Sequence, residues 1–460
     1  MEIQEGSPDS VVLHRLRLLG CFFLPLVLSL LFTLCFETLR LHQAEDYLSL
    51  AVRPSRVPSS LFRPPGYIAF LHFINAVAGP ISNDRPAPIY IFQDIVLSLA
   101  TVAWYLTARR WMTAWSAWWM ALAFGCNPLM IVLAGYIHYD ILHTGLCVLA
   151  GLVLVRGFAS NPVSLRWAGL AGLAVGVLTL VRPMTLVMPA FLALALCLQT
   201  DRARQLRTWL AWAAFSLALV ATIAPRTWNI YARTGHVTGV NVQFWLQVWT
   251  ICEEPIRVNS ENIPGLALGN RRLGPVIEKE LGASALQESY GGDLRPLIIE
   301  MGCRDRVLEI FRTNPWIYLS NVVHNALFFL TGDSRMRIRT FIFYQYPDTY
   351  MISPAWTTGF FIASSALLHL CGVLGLALGL WRRNPTIMIL ASLFICLWIV
   401  HSMVYLDYHY IYSKFPFMLW FTGYLVSELH KISPSGKKTA ACVSAAFALF
   451  SLLGTVLLIF

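Results

Sequence analysis

Gln43-Ala-Glu-Asp-Tyr-Leu-Ser-Leu-Ala51, followed after a polar gap by Arg63-Pro-Pro-Gly-Tyr67, comes where the first long apolar run of the chain, Leu16 to Leu39, gives out. Two adjacent carboxylates, Glu45 and Asp46, stand there, and a guanidinium, Arg63, follows on a proline-stiffened turn. Acidic side chains beside a membrane are costly unless solvated or used. A carboxylate can act as general base, taking the proton of a hydroxyl as its oxygen attacks an activated carbon. The same pair also reads as the solvent-facing start of a loop.

Working outward, the 460 residues are 57% hydrophobic and only 13% charged, with a mean hydropathy of +0.61. A soluble domain carries about a quarter charged residues, so the chain reads as an all-α polytopic membrane protein. Its net charge of +10 does not call for nucleic acid, because Lys and Arg collect on cytoplasmic loops to fix orientation. Crossing about 30 Å of hydrocarbon takes roughly 20 apolar residues. On that rule spans are expected near Leu16 to Leu39, Ile89 to Ala108, Met112 to Met130, Ile141 to Val155, Trp167 to Val181, Met184 to Leu198, Trp209 to Ala224, Trp356 to Leu380, Thr386 to Val404, Ile411 to Leu429 and Ala440 to Phe460. That makes about eleven. Leu16 to Leu39 is too long for a signal-peptide core and reads as the first span. A cytoplasmic N-terminus then puts Arg109-Arg110, Arg156, Arg202, Arg382-Arg383 and Lys437-Lys438 on the cytoplasmic side, as the positive-inside rule requires. The organisation expected is a seven-helix module over 1–225 whose first outer loop is 40–88, an outer loop region over 226–355 with an interfacial helix near 314–330, and a four-helix module over 356–460.

The opposite face receives the residues that can carry chemistry. Asp140, in Gly135-Tyr-Ile-His-Tyr-Asp-Ile-Leu-His143, stands at the mouth of a span on the same side as Asp46. It reads either as a helix N-cap or as an acid that holds substrate hydroxyls or orients a base. His138 and His143 miss the i, i+4 spacing of a helical metal site, so no metal ligand is assigned and a divalent metal is not favoured. Arg335, Arg337 and Arg339 alternate through Asp333-Ser-Arg-Met-Arg-Ile-Arg-Thr340; in an extended segment they point one way, toward a phosphate or toward lipid headgroups. Lys414, one turn inside the expected Ile411 span, is costly unless paired and reads as a phosphate ligand. Cys252 and Cys303 lie in the long outer loop, where an oxidising compartment would bridge them.

Taken in order, these motifs resemble the membrane glycosyltransferases of the C-type (GT-C) fold, in particular protein O-mannosyltransferases and lipid A aminoarabinose transferases. The resemblance runs through the acid after the first helix, Arg63-Pro-Pro-Gly-Tyr67, Asp140 at the fourth span, Leu180-Val-Arg-Pro183, Ala224-Pro-Arg-Thr-Trp-Asn229 and Tyr412-Ser-Lys-Phe-Pro416. It implies inverting transfer of a sugar from a polyprenyl-phosphate carrier to a hydroxyl of a protein, lipid or glycan, at the outer face of a bacterial inner membrane. The implied roles are base for Asp46 or Glu45, with Asp140 supporting the substrate. Arg63, Arg182, Arg335, Arg337, Arg339 and Lys414 surround the donor phosphate, and Tyr67, His138, Tyr344 and Tyr346 line the substrate. One departure stands out: in many relatives the base lies four residues before the Tyr of a Tyr-x-x-x-Ala pattern, and Gln43 occupies that place here. No cofactor is implied, since a phosphate ester at an anomeric carbon already carries its leaving group, and no Walker or Rossmann pattern occurs. An oligosaccharide ligase using a pyrophosphate-linked donor and a lipid transporter or flippase are the alternatives; paired, internally symmetric halves, common in transporters, are not evident in the chain.

Overall fold

The computed structural model describes residues 8–35, 47, 48, 51, 63–81, 86–234, 240, 245, 248, 252, 295–331, 355–403, 412–432 and 436–459. Among the described residues every regular element is helical. In chain order the helices are α1 Pro8–Cys35, α2 Pro65–Ala78, α3 Ala87–Ala108, α4 Ala114–Gly125, α5 Pro128–Ala134, α6 Asp140–Leu154, α7 Leu165–Val181 and α8 Met188–Cys197. They continue as α9 Thr200–Ala203, α10 Leu206–Thr234, α11 Arg295–Thr313, α12 Pro315–Thr331, α13 Ala355–Trp381, α14 Pro385–Met403, α15 Phe415–Ile432 and α16 Gly436–Ile459.

Among the described residues, five segments are long and apolar enough to cross a membrane: Val11–Leu34, Ala87–Ala108, Asp140–Ala159, Leu206–Ala232 and Pro385–Met403. α4 and α5 add a sixth if taken as one span bent by 50°. The expected count of eleven is not reached by this measure, because apolar helices such as Leu165–Val181 and Pro183–Cys197 are too short to cross roughly 30 Å alone. The bend has a local cause. Asn127 accepts a hydrogen bond from the backbone of Leu129 at 2.9 Å and Pro128 opens the next helix, so the chain ends one helix and restarts another inside the expected Met112 to Met130 span.

A further difference lies in the first expected loop, which contains α2. Pro65 supplies its first helical residue, where the missing N–H costs nothing, and its buried face (Tyr67, Ile68, Leu71, Ile74) packs on α7 and α3. The close approach to α7 depends on Gly66. A Cβ there would lie 2.7 Å from the backbone nitrogen of Val181 and 2.8 Å from the carbonyl carbon of Leu180. Gly66→Ala is therefore expected to cost about 1–3 kcal/mol and to lower the melting midpoint in detergent. Gly169→Ala, where a Cβ would meet nothing within 4 Å, is the matched control, and equal midpoints for both would show that α2 is not held at this distance. Gly172 plays the same part deeper in α7, since a Cβ there would lie 2.1 Å from the carbonyl oxygen of Phe215 on α10. Small residues let membrane helices pack backbone to backbone in this way, and α7 with α10 is the most extensive helix pair among the described residues.

One hydrophobic cluster runs from Cys21 on α1 to Ala448 on α16, so early and late helices share a core. Trp104 of α3 stacks on Trp420 of α15, with centroids 6.0 Å apart, and donates its indole N–H to the Pro416 carbonyl at 3.2 Å. The segment 314–330, expected to be an interfacial helix, forms α12, which lies against α14. Tyr318 donates to the Met403 carbonyl at 3.0 Å and Trp398 to the Ala326 carbonyl at 3.0 Å, while Trp316, Val323 and Leu327 on α12 are exposed. A second, smaller cluster gathers Tyr47, Tyr67, Tyr90, Tyr139, Leu142 and Val181 among its members. That cluster carries the site.

Candidate active site

Pro183 decides where Arg182 goes. A residue before proline is driven out of the helical region, and Arg182 accordingly ends α7 in an extended conformation, φ −152 and ψ 115. Its guanidinium reaches back to the start of α6. One terminal nitrogen lies 3.3 Å from Asp140 Oδ1 and 3.3 Å from the Tyr139 hydroxyl, and the guanidinium sits 4.8 Å over the Tyr139 ring. His138 completes the group, with Nδ1 2.8 Å from Asp140 Oδ2. Asp140 is not the N-cap of α6, a position that Tyr139 occupies; it stands in the first helical turn, where the helix dipole favours a negative charge. His138, Asp140 and Arg182 are each no more than 3% exposed, so carboxylate and guanidinium neutralise one another in a dry setting.

Tyr47 is brought to this group. Tyr47, covalently joined to Asp46, is buried and packs edge-on against Tyr67, His138 and Tyr139, with ring centroids 5.0, 6.2 and 6.0 Å away. Arg63 lies 5.2 Å over the Tyr47 ring. Burial, above all, drives the Tyr47 and Tyr139 hydroxyls upward from the ordinary tyrosine pKa, with Arg63 and Arg182 opposing. Both phenols stay neutral at physiological pH.

The residues expected in the site fall in different places. Arg182, expected at the donor phosphate, is engaged by Asp140 and Tyr139. Tyr67, expected to meet substrate, donates its hydroxyl to Gln93 at 2.9 Å. Lys414 closes a short 3-10 turn over 412–414 that leads directly into α15, and its buried ammonium donates to the carbonyls of Phe329 at 2.6 Å and Leu330 at 3.1 Å. These are last-turn carbonyls of α12, where the helix dipole favours a cation. Among the described residues no disulfide is formed; Cys252 and Cys303, expected to be bridged, are both buried in the main cluster with Val307 and Phe329, where cysteine packs as a small hydrophobe. His143 faces Cys147, 3.9 Å from its sulfur, and among the described residues no three His, Cys, Asp or Glu side chains converge to hold a metal. Glu45, Asp46, Arg335, Arg337, Arg339, Tyr344 and Tyr346 lie outside the described residues.

Reading the sequence missed Gln93. It is fully buried on α3, accepts from Tyr67, and donates to the carbonyls of Ala134 at 2.7 Å and of Tyr136. Its neighbour Asp94 accepts a hydrogen bond from the Ser29 hydroxyl of α1. The signal was present: Gln93-Asp94 interrupts an otherwise apolar span, and polar residues inside a span are rarely accidental.

No protein-family model matches the chain, and no curated protein sequence matches it either. Solved structures do. The archaeal oligosaccharyltransferase AglB from Archaeoglobus fulgidus, in complex with an inhibitory peptide and a dolichol-phosphate, superposes with a TM-score of 0.55 at 12% identity, over 98% of this chain and 56% of that one. The Archaeoglobus fulgidus oligosaccharyltransferase in complex with Zn and sulfate gives 0.52 at 12% identity, over 95% and 52%. ArnT from Cupriavidus metallidurans bound to undecaprenyl phosphate covers 94% of this chain and 80% of its own at 14% identity, but superposes only loosely, with a TM-score of 0.40. The chain thus spans little more than half the length of the oligosaccharyltransferases it matches. With nearly all of its length laid on theirs at this identity, the likeness is one of fold: the chain is a multi-pass membrane protein with the C-type glycosyltransferase fold.

Proposed function

We propose that the protein is an inverting glycosyltransferase that moves a sugar from a polyprenyl-phosphate carrier to an acceptor hydroxyl. The observation that carries this reading is the buried His138–Asp140–Arg182 group, packed against the residue next to Asp46. In this mechanism Asp46, or Glu45 beside it, takes the acceptor proton as the acceptor oxygen attacks the anomeric carbon. The bond to the phosphate oxygen breaks and its electron pair leaves with the phosphate. The carboxylate need be only a modest base, since the leaving group is already activated. Arg63 and the Arg335, Arg337 and Arg339 cluster meet the charge developing on the departing phosphate. Asp140, held by Arg182 and His138, supplies a fixed acidic wall. The dolichol-phosphate in the archaeal oligosaccharyltransferase structure supports a carrier of this chemistry. The distribution of Lys and Arg over the loops supports a bacterial inner membrane with the site facing the periplasm.

A second reading, transfer of a whole oligosaccharide from a pyrophosphate-linked carrier, is favoured by the likeness to oligosaccharyltransferases. Product mass separates the two. Glycans and glycolipids from cells with and without the active gene should differ by a single sugar under the first reading and by an oligosaccharide under the second. Identical profiles, together with no transfer by purified protein supplied with polyprenyl-phosphate sugars, would refute both.

A further inference from the structure

A fully buried carboxamide is expensive unless its oxygen and both N–H groups find partners. Gln93 finds them on two different elements of the site. Its amide orientation follows from those partners. The carbonyls of Ala134 and Tyr136 can only accept, so Nε2 faces them, and Oε1 is left to accept from the Tyr67 hydroxyl. On one side the amide therefore grips the last residue of α5 and the first part of the turn that carries His138 and Asp140 two and four residues beyond Tyr136. On the other side it grips Tyr67, whose ring packs on Tyr47. Gln93 makes no hydrogen bond to His138, Asp140 or Arg182 in this arrangement; what it joins is the turn leading to the first two and the Tyr47–Tyr67 aromatic wall.

From this geometry we infer that Gln93 is the positioning residue of the site, fixing the separation between the His138–Asp140 turn and the Tyr47–Tyr67 wall. The inference rests on the transferase reading for its catalytic consequence and on the hydrogen bonds alone for its structural one. Only a primary carboxamide of this length presents one acceptor and two donors along these directions. Ionised glutamate offers acceptors alone and would set a carboxylate against two carbonyl oxygens, whereas leucine offers nothing. A displacement of about 1 Å between reacting groups can cost on the order of a hundredfold in rate, so the loss should appear in kcat, with little change in the donor KM.

The test uses the full-length protein in detergent, as wild type, Gln93→Leu, Gln93→Glu and Tyr67→Phe, with a polyprenyl-phosphate-linked sugar as donor. Gln93→Leu should lose on the order of a hundredfold in kcat at nearly unchanged donor KM, and Tyr67→Phe should lose less, because both carbonyl contacts survive. The rate of Gln93→Glu relative to wild type should climb as the pH falls, because the protonated carboxyl again donates to one carbonyl. Hydrogen–deuterium exchange over 134–143 should quicken in Gln93→Leu while exchange over 385–403 stays as in wild type. Wild-type kcat in Gln93→Leu, a flat pH dependence of the relative rate for Gln93→Glu, or unaltered exchange over 134–143 would each overturn the assignment. A wild-type protein that transfers no sugar would instead sink the transferase reading, and the exchange measurement would still decide the role of Gln93.

Discussion

Asp140→Leu should abolish sugar transfer and also leave the protein markedly less stable, and the second effect is the more informative. Arg182 stays charged at any accessible pH, and in this variant its guanidinium would be buried without the carboxylate it now lies 3.3 Å from. Breaking a buried pair from one side costs on the order of 3–5 kcal/mol, a large share of the roughly 5–15 kcal/mol that keeps a domain folded. Removing both charges is different, because a buried ion pair replaced by apolar groups of similar size is often neutral. The double variant Asp140→Leu with Arg182→Met is therefore expected to melt near the wild-type temperature while remaining inactive. Melting in detergent, followed by tryptophan fluorescence, checks the first half and transfer assays the second. If Asp140→Leu alone melts like wild type, the pair does not hold α6 to the end of α7.

Asp46→Asn is expected to lower kcat by about 10²- to 10⁴-fold, the usual contribution of a positioned general base. Its melting temperature should not change, because an asparagine keeps the size of the side chain. Glu45→Gln is the comparison. If Asp46 is the base, Glu45→Gln should retain most of its activity, and a reversed order would transfer the role to Glu45. Wild-type rates in both variants would remove the acid pair from the mechanism.

Much of the fold was legible because crossing a membrane is a demand on composition. The expected spans near Ile89 to Ala108, Ile141 to Val155 and Thr386 to Val404 fall within two residues of α3 (Ala87–Ala108), α6 (Asp140–Leu154) and α14 (Pro385–Met403). Hydropathy was less informative where a helix does not have to cross. α2 has only 14 residues and opens on two prolines, Pro64 as its N-cap and Pro65 as its first residue, so its sequence looks like the tail of a turn. The α4–α5 break was legible in principle from Asn127-Pro128, since those residues restart a helix, but a hydropathy window averages across it.

The site divides along the same line. Sequence alone determined that the protein is built of membrane helices, that an acid opens α6 and that Arg182 must leave the helix before Pro183. These are local properties, set by transfer energy and by backbone sterics within a few residues. Only the tertiary structure decided that Arg182 meets Asp140 across 42 residues of chain, that Lys414 caps the end of α12 across 85, and that Gln93 joins Tyr67 to the turn after α5. Each of these is a buried polar group whose partner is chosen by packing. A hydropathy pattern reports that such a group needs a partner, but the partner's identity depends on which helices come to lie side by side.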